Sequence, residues 1–212
     1  VEVEMKMKIT VEQAENLVDG KLRDWHISRG GGWCALHKSD TYYSFGGIAP
    51  KTPKNIIRVR DEGTIENPDF KKIITGKLTE KTISNWHAYL TIKEKNTSPS
   101  GIESNKEYEG EITPAKLPFE MAMSIANFKP YFFKVKDSIS FYVEYNEGGN
   151  IPELHCEIVN VNGIGPFLEV EVTSDNFSKD DIVFWINRFF EENIGCIDFD
   201  KRSWPQIIEE GK

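Results

Sequence analysis

Two segments of this chain carry paired carboxylates two residues apart. One is Glu2-Val3-Glu4-Met5-Lys6; the other, far downstream, is Phe167-Leu168-Glu169-Val170-Glu171-Val172. Side chains alternate faces along an extended strand, so Glu2, Glu4 and Lys6 share one face while Val1, Val3, Met5 and Met7 share the other. A lone strand of this kind ordinarily turns its charges to water. Two of them can gather their carboxylates into one small volume, and such a cluster resists joint ionisation unless cations neutralise it. That is the chemistry of a divalent-metal site, and carboxylate oxygens are the ligands that hard Mg²⁺ or Mn²⁺ prefers.

The same spacing recurs with the opposite sign. Arg58 and Arg60, Lys93 and Lys95, and Lys134 and Lys136 each stand on one face of an alternating segment, and Glu107 and Glu109 follow Lys106 in another. Repetition grouped by sign fits a closed antiparallel β-barrel of about eight strands, with a charged interior and an apolar exterior beneath helices. Within such a tunnel arginine binds phosphate through its planar fork and lysine as a point charge. A polyphosphate carried with a metal needs both signs: carboxylates for the metal, cations for the phosphate oxygens.

The elements that must position these residues follow from local signals. Thr10-x-x-Gln13 predicts a capping box at the head of a helix with Val11, Ala14, Leu17 and Val18 at helical spacing, ending near Gly20. Gly30-Gly31-Gly32 predicts a loop, and without a following Gly-Lys-Ser/Thr it is no phosphate-binding fingerprint. Strands are predicted over residues 40–45, 56–60, 86–95 and 106–112. They are separated by a Gly/Pro loop at 46–53, a polar irregular excursion at 61–82 and a polar turn at 96–105. Thr113-Pro114 predicts the capped start of a helix over 114–126. Residues 131–136 and 138–145 predict two aromatic strands. Gly148-Gly149 leads into a strand at 153–161 with His155 and Glu157 on one face, and residues 163–166 turn into the second Glu-x-Glu strand. Ser178-x-x-Asp181 caps a helix whose stripe is Ile182, Trp185, Ile186, Phe189 and Phe190, and a short helix is predicted near 203–210.

Composition bounds the rest. With 212 residues, of which 39% are hydrophobic and 28% charged, the chain is expected to be one α+β domain spanning residues 1–212. A net charge of -8 argues against a protein that coats nucleic acid, while leaving a small anionic substrate open. No run approaches the roughly 18 apolar residues of a membrane span, and no basic-then-apolar leader is evident. Cys34, Cys156 and Cys196 are widely spaced and form no CxxC, which suits a reducing, cytoplasmic location. The expected partners are a small-molecule substrate and at most a second copy, as monomer or homodimer, with no membrane and no nucleic acid. His26, His37 and His87 read as surface residues, and Cys34 and Cys156 as inert thiols. Trp185 and Phe189 read as core. His155 and Lys201 are secondary candidates for the tunnel.

Taken in order, these segments resemble the CYTH or triphosphate tunnel metalloenzyme superfamily, which includes class IV adenylate cyclases, thiamine triphosphatases and inorganic triphosphatases. The residues that carry the resemblance are Glu2-x-Glu4-x-Lys6, Asp40-Thr-Tyr-Tyr43, Arg58-x-Arg60, Lys93, Lys106-Glu-Tyr-Glu109, Lys134-x-Lys136, Glu157 and Gly165-x-Phe167-x-Glu169-x-Glu171. Lys136 stands where an arginine is common, Glu157 replaces a usual aspartate, and the 61–82 excursion is longer than in compact cyclases. The resemblance implies metal-dependent hydrolysis or cyclisation of a triphosphate. Lys6, Arg58, Arg60, Lys93, Lys106, Lys134 and Lys136 would hold the phosphate chain. Glu2, Glu4, Glu169 and Glu171, with Glu157, would carry one or two Mg²⁺ or Mn²⁺ ions. Lys6, Arg58, Arg60 and Glu157 are the residues assigned to catalysis. Hydrolysis of inorganic, thiamine or nucleoside triphosphate leads. Formation of cyclic AMP and pyrophosphate from ATP is the second reading, and a non-catalytic polyphosphate-binding barrel the third.

Overall fold

The computed structural model describes residues 2–29, 32–50, 55–94, 103–147 and 149–211. Val1, Gly30, Gly31, residues 51–53 of the Gly/Pro loop, Lys95, residues 96–102 of the polar turn and Gly148 lie outside the described residues. The strands are β1 (Glu2–Lys8), β2 (Trp25–Ile27), β3 (Cys34–Phe45), β4 (Asn55–Ile65), β5 (Ile83–Glu94), β6 (Glu103–Glu111), β7 (Phe128–Tyr145), β8 (Leu154–Val161) and β9 (Ile164–Thr173). The helices are α1 (Val11–Val18), α2 (Phe70–Ile74), α3 (Lys116–Ile125), α4 (Lys179–Asn193) and α5 (Trp204–Glu210).

The strands make one nine-stranded antiparallel sheet, ordered β2-β7-β3-β4-β5-β6-β1-β9-β8, and β8 also pairs with β7. The sheet therefore curls around one face. Among the described residues, β1 pairs with β9 from Glu2 to Lys8 and with β6 at Glu2, Val3 and Glu4. The expected closed barrel of eight strands is realised as an antiparallel sheet curled into an open half-barrel, with helices outside it.

The apolar row of β1 explains which way the charges turn. Val3, Met5 and Met7 are buried with Leu168, Val170 and Val172 of β9 and Ile139, Phe141 and Val143 of β7. They pack beneath Ala14 and Leu17 of α1 and Ile182, Ile186, Phe189 and Phe190 of α4. Burying each large apolar side chain contributes about 1.5–3 kcal/mol, so this layer offsets the cost of a charged concave face. The two helices are anchored as their sequences predict. Thr10 and Gln13 complete the capping box of α1, and Ser178 Oγ accepts from the Asp181 N–H at the head of α4. A smaller cluster seats α5 through Ile207 and Ile208 on Val159, Val161 and Phe167. By contrast, α3 buries none of its side chains. No helix among the described residues is long and apolar enough to cross a membrane.

Several elements differ from expectation for local reasons. The 61–82 stretch is not all excursion: β4 continues to Ile65 and α2 occupies Phe70–Ile74. Both faces of β4 are polar there, because Asp61 pairs with Lys116 while Glu62 approaches Lys38; this hides the strand from a hydrophobicity pattern. The predicted strands at 131–136 and 138–145 are one continuous β7, since Asp137 between them is partnered by His37 and Lys81. Thr113 does not cap an α-helix. It begins a 3₁₀ turn, accepting from the Ala88 N–H and donating to Glu111, and α3 starts at Lys116. The turn after β8 is shorter than predicted, and Gly165 already lies within β9. There a Cβ would come within 2.9 Å of the Val159 carbonyl oxygen, which reserves the position for glycine.

Candidate active site

The concave face of the sheet lines one cavity of about 380 Å³. Strand register fills it by sign. On the contiguous strands β7, β3 and β4, Lys38 stands opposite Lys136, Asp40 opposite both Lys134 and Arg60, and Tyr42 opposite Arg58. On the contiguous strands β1 and β9, Glu4 stands opposite Glu171 and Lys6 opposite Glu169, while Glu107 of β6 faces Lys93 of β5. The period of two seen in the sequence is the period that turns all these side chains onto the same face.

Asp40 organises the basic wall. It is 1% exposed, and its carboxylate accepts from Arg60 Nε at 2.7 Å and Nη2 at 3.1 Å, with Lys134 Nζ at 3.1 Å. Burial alone drives its pKa up, but Arg60, Lys134 and Arg58 outweigh it and hold the group well below the usual carboxylate range. Arg58 is further held by Thr91 Oγ1 at 2.8 Å and Glu109 at 3.1 Å. The guanidinium forks are thereby fixed before any ligand arrives.

Glu157 of β8 has a similar role on the other side of β7. Lys38 and Lys136 each approach one of its oxygens at 2.5 Å. Burial opposes its ionisation, yet Lys136 and Lys38 hold its pKa well below the ordinary value. Lys136 also bonds Glu169, whose other oxygen accepts from the Trp204 indole N–H at 2.8 Å. Two carboxylates expected on a metal, Glu157 and Glu169, are therefore engaged by lysines in this structure.

The acidic wall gathers several carboxylates around Lys93. Lys93 Nζ lies 2.6 Å from Glu2, 3.1 Å from Glu107 and 3.5 Å from Glu4. Burial lowers the Lys93 pKa, but Glu4, Glu2 and Glu107 outweigh it and raise it overall. Burial raises Glu2 to about 8, against the pull of Lys93 and with the help of Glu107. Burial, then the facing Glu4, raises Glu171 to about 7. Burial and neighbouring carboxylates thus work against joint ionisation of Glu2 and Glu171, and an added divalent cation relieves that cost. Glu2, Glu4, Glu107 and Glu171 supply the oxygen donors that hard cations take, so donor type and charge fit Mg²⁺ or Mn²⁺. Among the described residues, no three His, Cys, Asp or Glu side chains already converge at metal-ligand geometry.

Lys6 completes the inventory from the other side. It is 6% exposed and lines the cavity, and no ion pair engages its ammonium among the described residues. Of the other expected residues, Glu4, Arg58, Arg60, Lys93, Lys134, Lys136, Glu157, Glu169 and Glu171 line the cavity, and Glu2 reaches it through Lys93. Lys106 does not line it: it is exposed on the opposite face of β6 from Glu107, beside the outward Tyr108. Lys201 lies in a separate depression with Lys8, Cys196 and Arg202. His155 does line the cavity, bonded to Ser140 Oγ at 2.8 Å, with its pKa lowered chiefly by burial.

Lys38, Glu62, Thr91, Tyr142 and Trp204 also line the cavity and were missed as site residues. Lys38 lies two residues before Asp40 and Glu62 two after Arg60, so carrying the alternation further along each strand would have found both. Nothing in the pattern points to Trp204, which arrives on a helix from outside the sheet.

The CYTH domain family matches residues 1–201 of this chain. Among solved structures, the PH1819 protein from Pyrococcus horikoshii OT3 is 18% identical with a TM-score of 0.66, the match covering 100% of both chains. A conserved hypothetical protein from Pyrococcus furiosus is 22% identical with a TM-score of 0.57, covering 97% of this chain and 99% of its own. The putative adenylyl cyclase HpAC1 from Hippeastrum, described as having a dominant triphosphatase activity, is 14% identical with a TM-score of 0.60, covering 100% and 97%. At these identities the likeness is one of fold. No curated protein sequence matches the chain.

Proposed function

The chain belongs to the CYTH domain family, and from that premise we propose that it hydrolyses a triphosphate within the curled sheet, with Mg²⁺ or Mn²⁺ as cofactor. The observation that carries the reading is the pairing of a preorganised basic wall with a wall of clustered carboxylates in one cavity of about 380 Å³. A neutral or singly charged ligand has no use for both.

Phosphoryl transfer asks little covalent chemistry of a protein and depends on positioning and charge stabilisation. Arg58, Arg60, Lys134 and Lys136 supply donors to the phosphate oxygens from one side, and Lys6 a cation from the other. Because Asp40 and Glu157 hold the basic groups in place, little reorganisation is needed when charge develops on those oxygens. Glu2, Glu4, Glu107 and Glu171 would hold the divalent ion, which when bound supplies Lewis acidity and neutralises phosphate charge. In hydrolysis the nucleophile is water and the P–O–P bond breaks to give phosphate and a diphosphate.

Cyclisation is the second reading, since one fold neighbour is a putative adenylyl cyclase. There the ribose 3′-hydroxyl of ATP attacks the α-phosphate and pyrophosphate leaves. Purified protein with Mg²⁺ or Mn²⁺ and a panel of triphosphates separates the readings. Metal-dependent phosphate release that drops in Glu4→Gln and Glu171→Gln supports hydrolysis. Cyclic nucleotide as the main product replaces it with cyclisation. Tight triphosphate binding without turnover reduces the protein to a binding module.

A further inference from the structure

The cavity has two unlike ends. At one, Ser203 and Trp204 stand over the cavity, and they lie beyond residue 201, where the family match stops. The Trp204 indole donates to Glu169 at 2.8 Å, packs edge-on against Phe167 at 5.1 Å between centroids, and has Lys134 Nζ 5.7 Å above its ring. Buried Ile207 and Ile208 hold α5 in that position. Lys134 lies in the first half of β7, before Tyr142, and Glu169 precedes Glu171 on β9, while Phe167 and the Ile207–Ile208 contact lie nearer the start of β9, so α5 stoppers that end.

At the other end of the same strands a side chamber of about 260 Å³ adjoins the cavity, sharing Tyr142, His155 and Glu171 with it. Three planar groups form a stack there. The Arg29 guanidinium lies 3.7 Å from the centre of the Tyr142 ring. The His155 ring stacks on Tyr142 at 4.6 Å and 22°. Each member is braced: Arg29 Nε donates to Glu153 at 2.8 Å, Ser28 Oγ donates to the same carboxylate at 2.6 Å, and His155 pairs with Ser140. Pro152, Val172 and Phe177 supply apolar wall.

Charge decides what such a chamber accepts. The Arg29 guanidinium is already paired with Glu153, and Glu171 adds another carboxylate, so a further phosphate is repelled. A flat, weakly charged ring is not: it gains the apolar wall and the outer face of Arg29, whose side chain is 60% exposed. On the reading that the main cavity takes the triphosphate, we infer that the substrate is an organic triphosphate, its planar heterocycle in the Arg29–Tyr142–His155 chamber and its terminal phosphate toward Trp204.

The test compares nucleoside triphosphates, as ring-bearing probes, with methyl triphosphate, a monoester without a ring, in wild type, Arg29→Ala and Thr173→Trp. The last places bulk at the chamber without touching the stack. The wild type is expected to prefer the ring-bearing probe by about tenfold or more in kcat/KM, and both variants to reduce that ratio by about tenfold, the scale of one stacking contact. Thermal melts confirm folding, and Arg29→Lys, which keeps the charge but not the plane, should behave like the alanine variant. A wild type indifferent to the ring, or a ratio untouched by all three variants, overturns the inference. Should nothing be turned over, the same ratio is read from calorimetric binding constants. Failure of hydrolysis and failure of the chamber are then seen separately.

Discussion

Asp40→Asn is the most informative single change in this molecule. The substitution keeps the shape of the side chain and removes its charge. In the native arrangement both carboxylate oxygens receive donors, from Arg60 at 2.7 and 3.1 Å and from Lys134 at 3.1 Å, with Arg58 3.9 Å away. An amide can accept on one side only; on the other its NH₂ meets donors. Three cations are then left buried without their shared counter-charge. Breaking a buried ion pair from one side typically costs about 3–5 kcal/mol, which in a domain of this size lowers Tm by about 6–20 °C. The sign with pH follows from the depressed pKa. A carboxyl held below its unfolded value, about 3.9, contributes its full stability above that value and loses it as pH falls through the lower folded value. The gap between wild type and variant should therefore be constant from pH 8 to about 5 and close only under strong acid. An anion should stand in for the missing charge, so inorganic triphosphate should raise the Tm of the variant more than that of the wild type, by the linkage of ligand binding to folding. Urea or thermal melts with and without triphosphate read all three effects. A variant within about 1 kcal/mol of wild type and protected no better by triphosphate would refute the assignment of Asp40 as the hub of the basic wall.

Two further outcomes follow from the same geometry. Lys106→Ala should leave stability and activity within about twofold of wild type, as surface changes do, whereas Lys134→Ala should lower kcat/KM by about a hundredfold through loss of a buried phosphate donor; steady-state kinetics on the two variants compare them. Asp137→Asn should cost roughly 1–3 kcal/mol at neutral pH through lost charged hydrogen bonds to His37 and Lys81. Burial opposes ionisation of Asp137, but those partners depress its pKa, so the cost should persist down to about pH 4 and vanish below it in pH-dependent melts.

How far the sequence reveals this depends on what each residue needs. The inward residues of β1, β4, β5, β7 and β9 are legible because a period of two is a local property, and one strand suffices to show that Glu2, Glu4 and Lys6 share a face. The sequence does not show who neutralises whom. Lys38 meets Glu157 and Lys136 meets Glu169 because β7 lies between β3 and β8, which is a fact of register and not of spacing. Lys106 illustrates the opposite error. It belongs to a motif, yet it alternates with Glu107 and so faces out. Polar strands are lost for a related reason: Asp61 and Glu62 look like loop residues until Lys116 and Lys38 are placed beside them. The chamber around Tyr142 and the stopper at Trp204 require β2's flank and α5 to arrive from outside the sheet, and no alternation announces that.

The ion lattice also implies that metal and triphosphate cannot bind independently. Lys136 holds Glu157 and Glu169, and Lys93 holds Glu2, Glu4 and Glu107. A phosphate that drew either lysine away would remove positive charge from these carboxylates, and a divalent cation would then replace it. Conversely, a cation on the acidic wall releases Lys93 toward phosphate. Each ligand should therefore strengthen the other, and linkage requires the two enhancements to be equal. Coupling on the usual scale of about 1–3 kcal/mol corresponds to about 5–150-fold in affinity. Calorimetric titration of Mn²⁺ with and without a non-hydrolysable triphosphate, and of that analogue with and without Mn²⁺, measures both sides, once the affinity of the analogue for Mn²⁺ in solution is subtracted. Lys136→Met should weaken the coupling more than it weakens Mn²⁺ binding alone, because it removes the link and none of the acidic donors. Equal affinities in the presence and absence of the second ligand would mean that the lysine–glutamate pairs persist in the complex, and that the two walls act side by side instead of through one another.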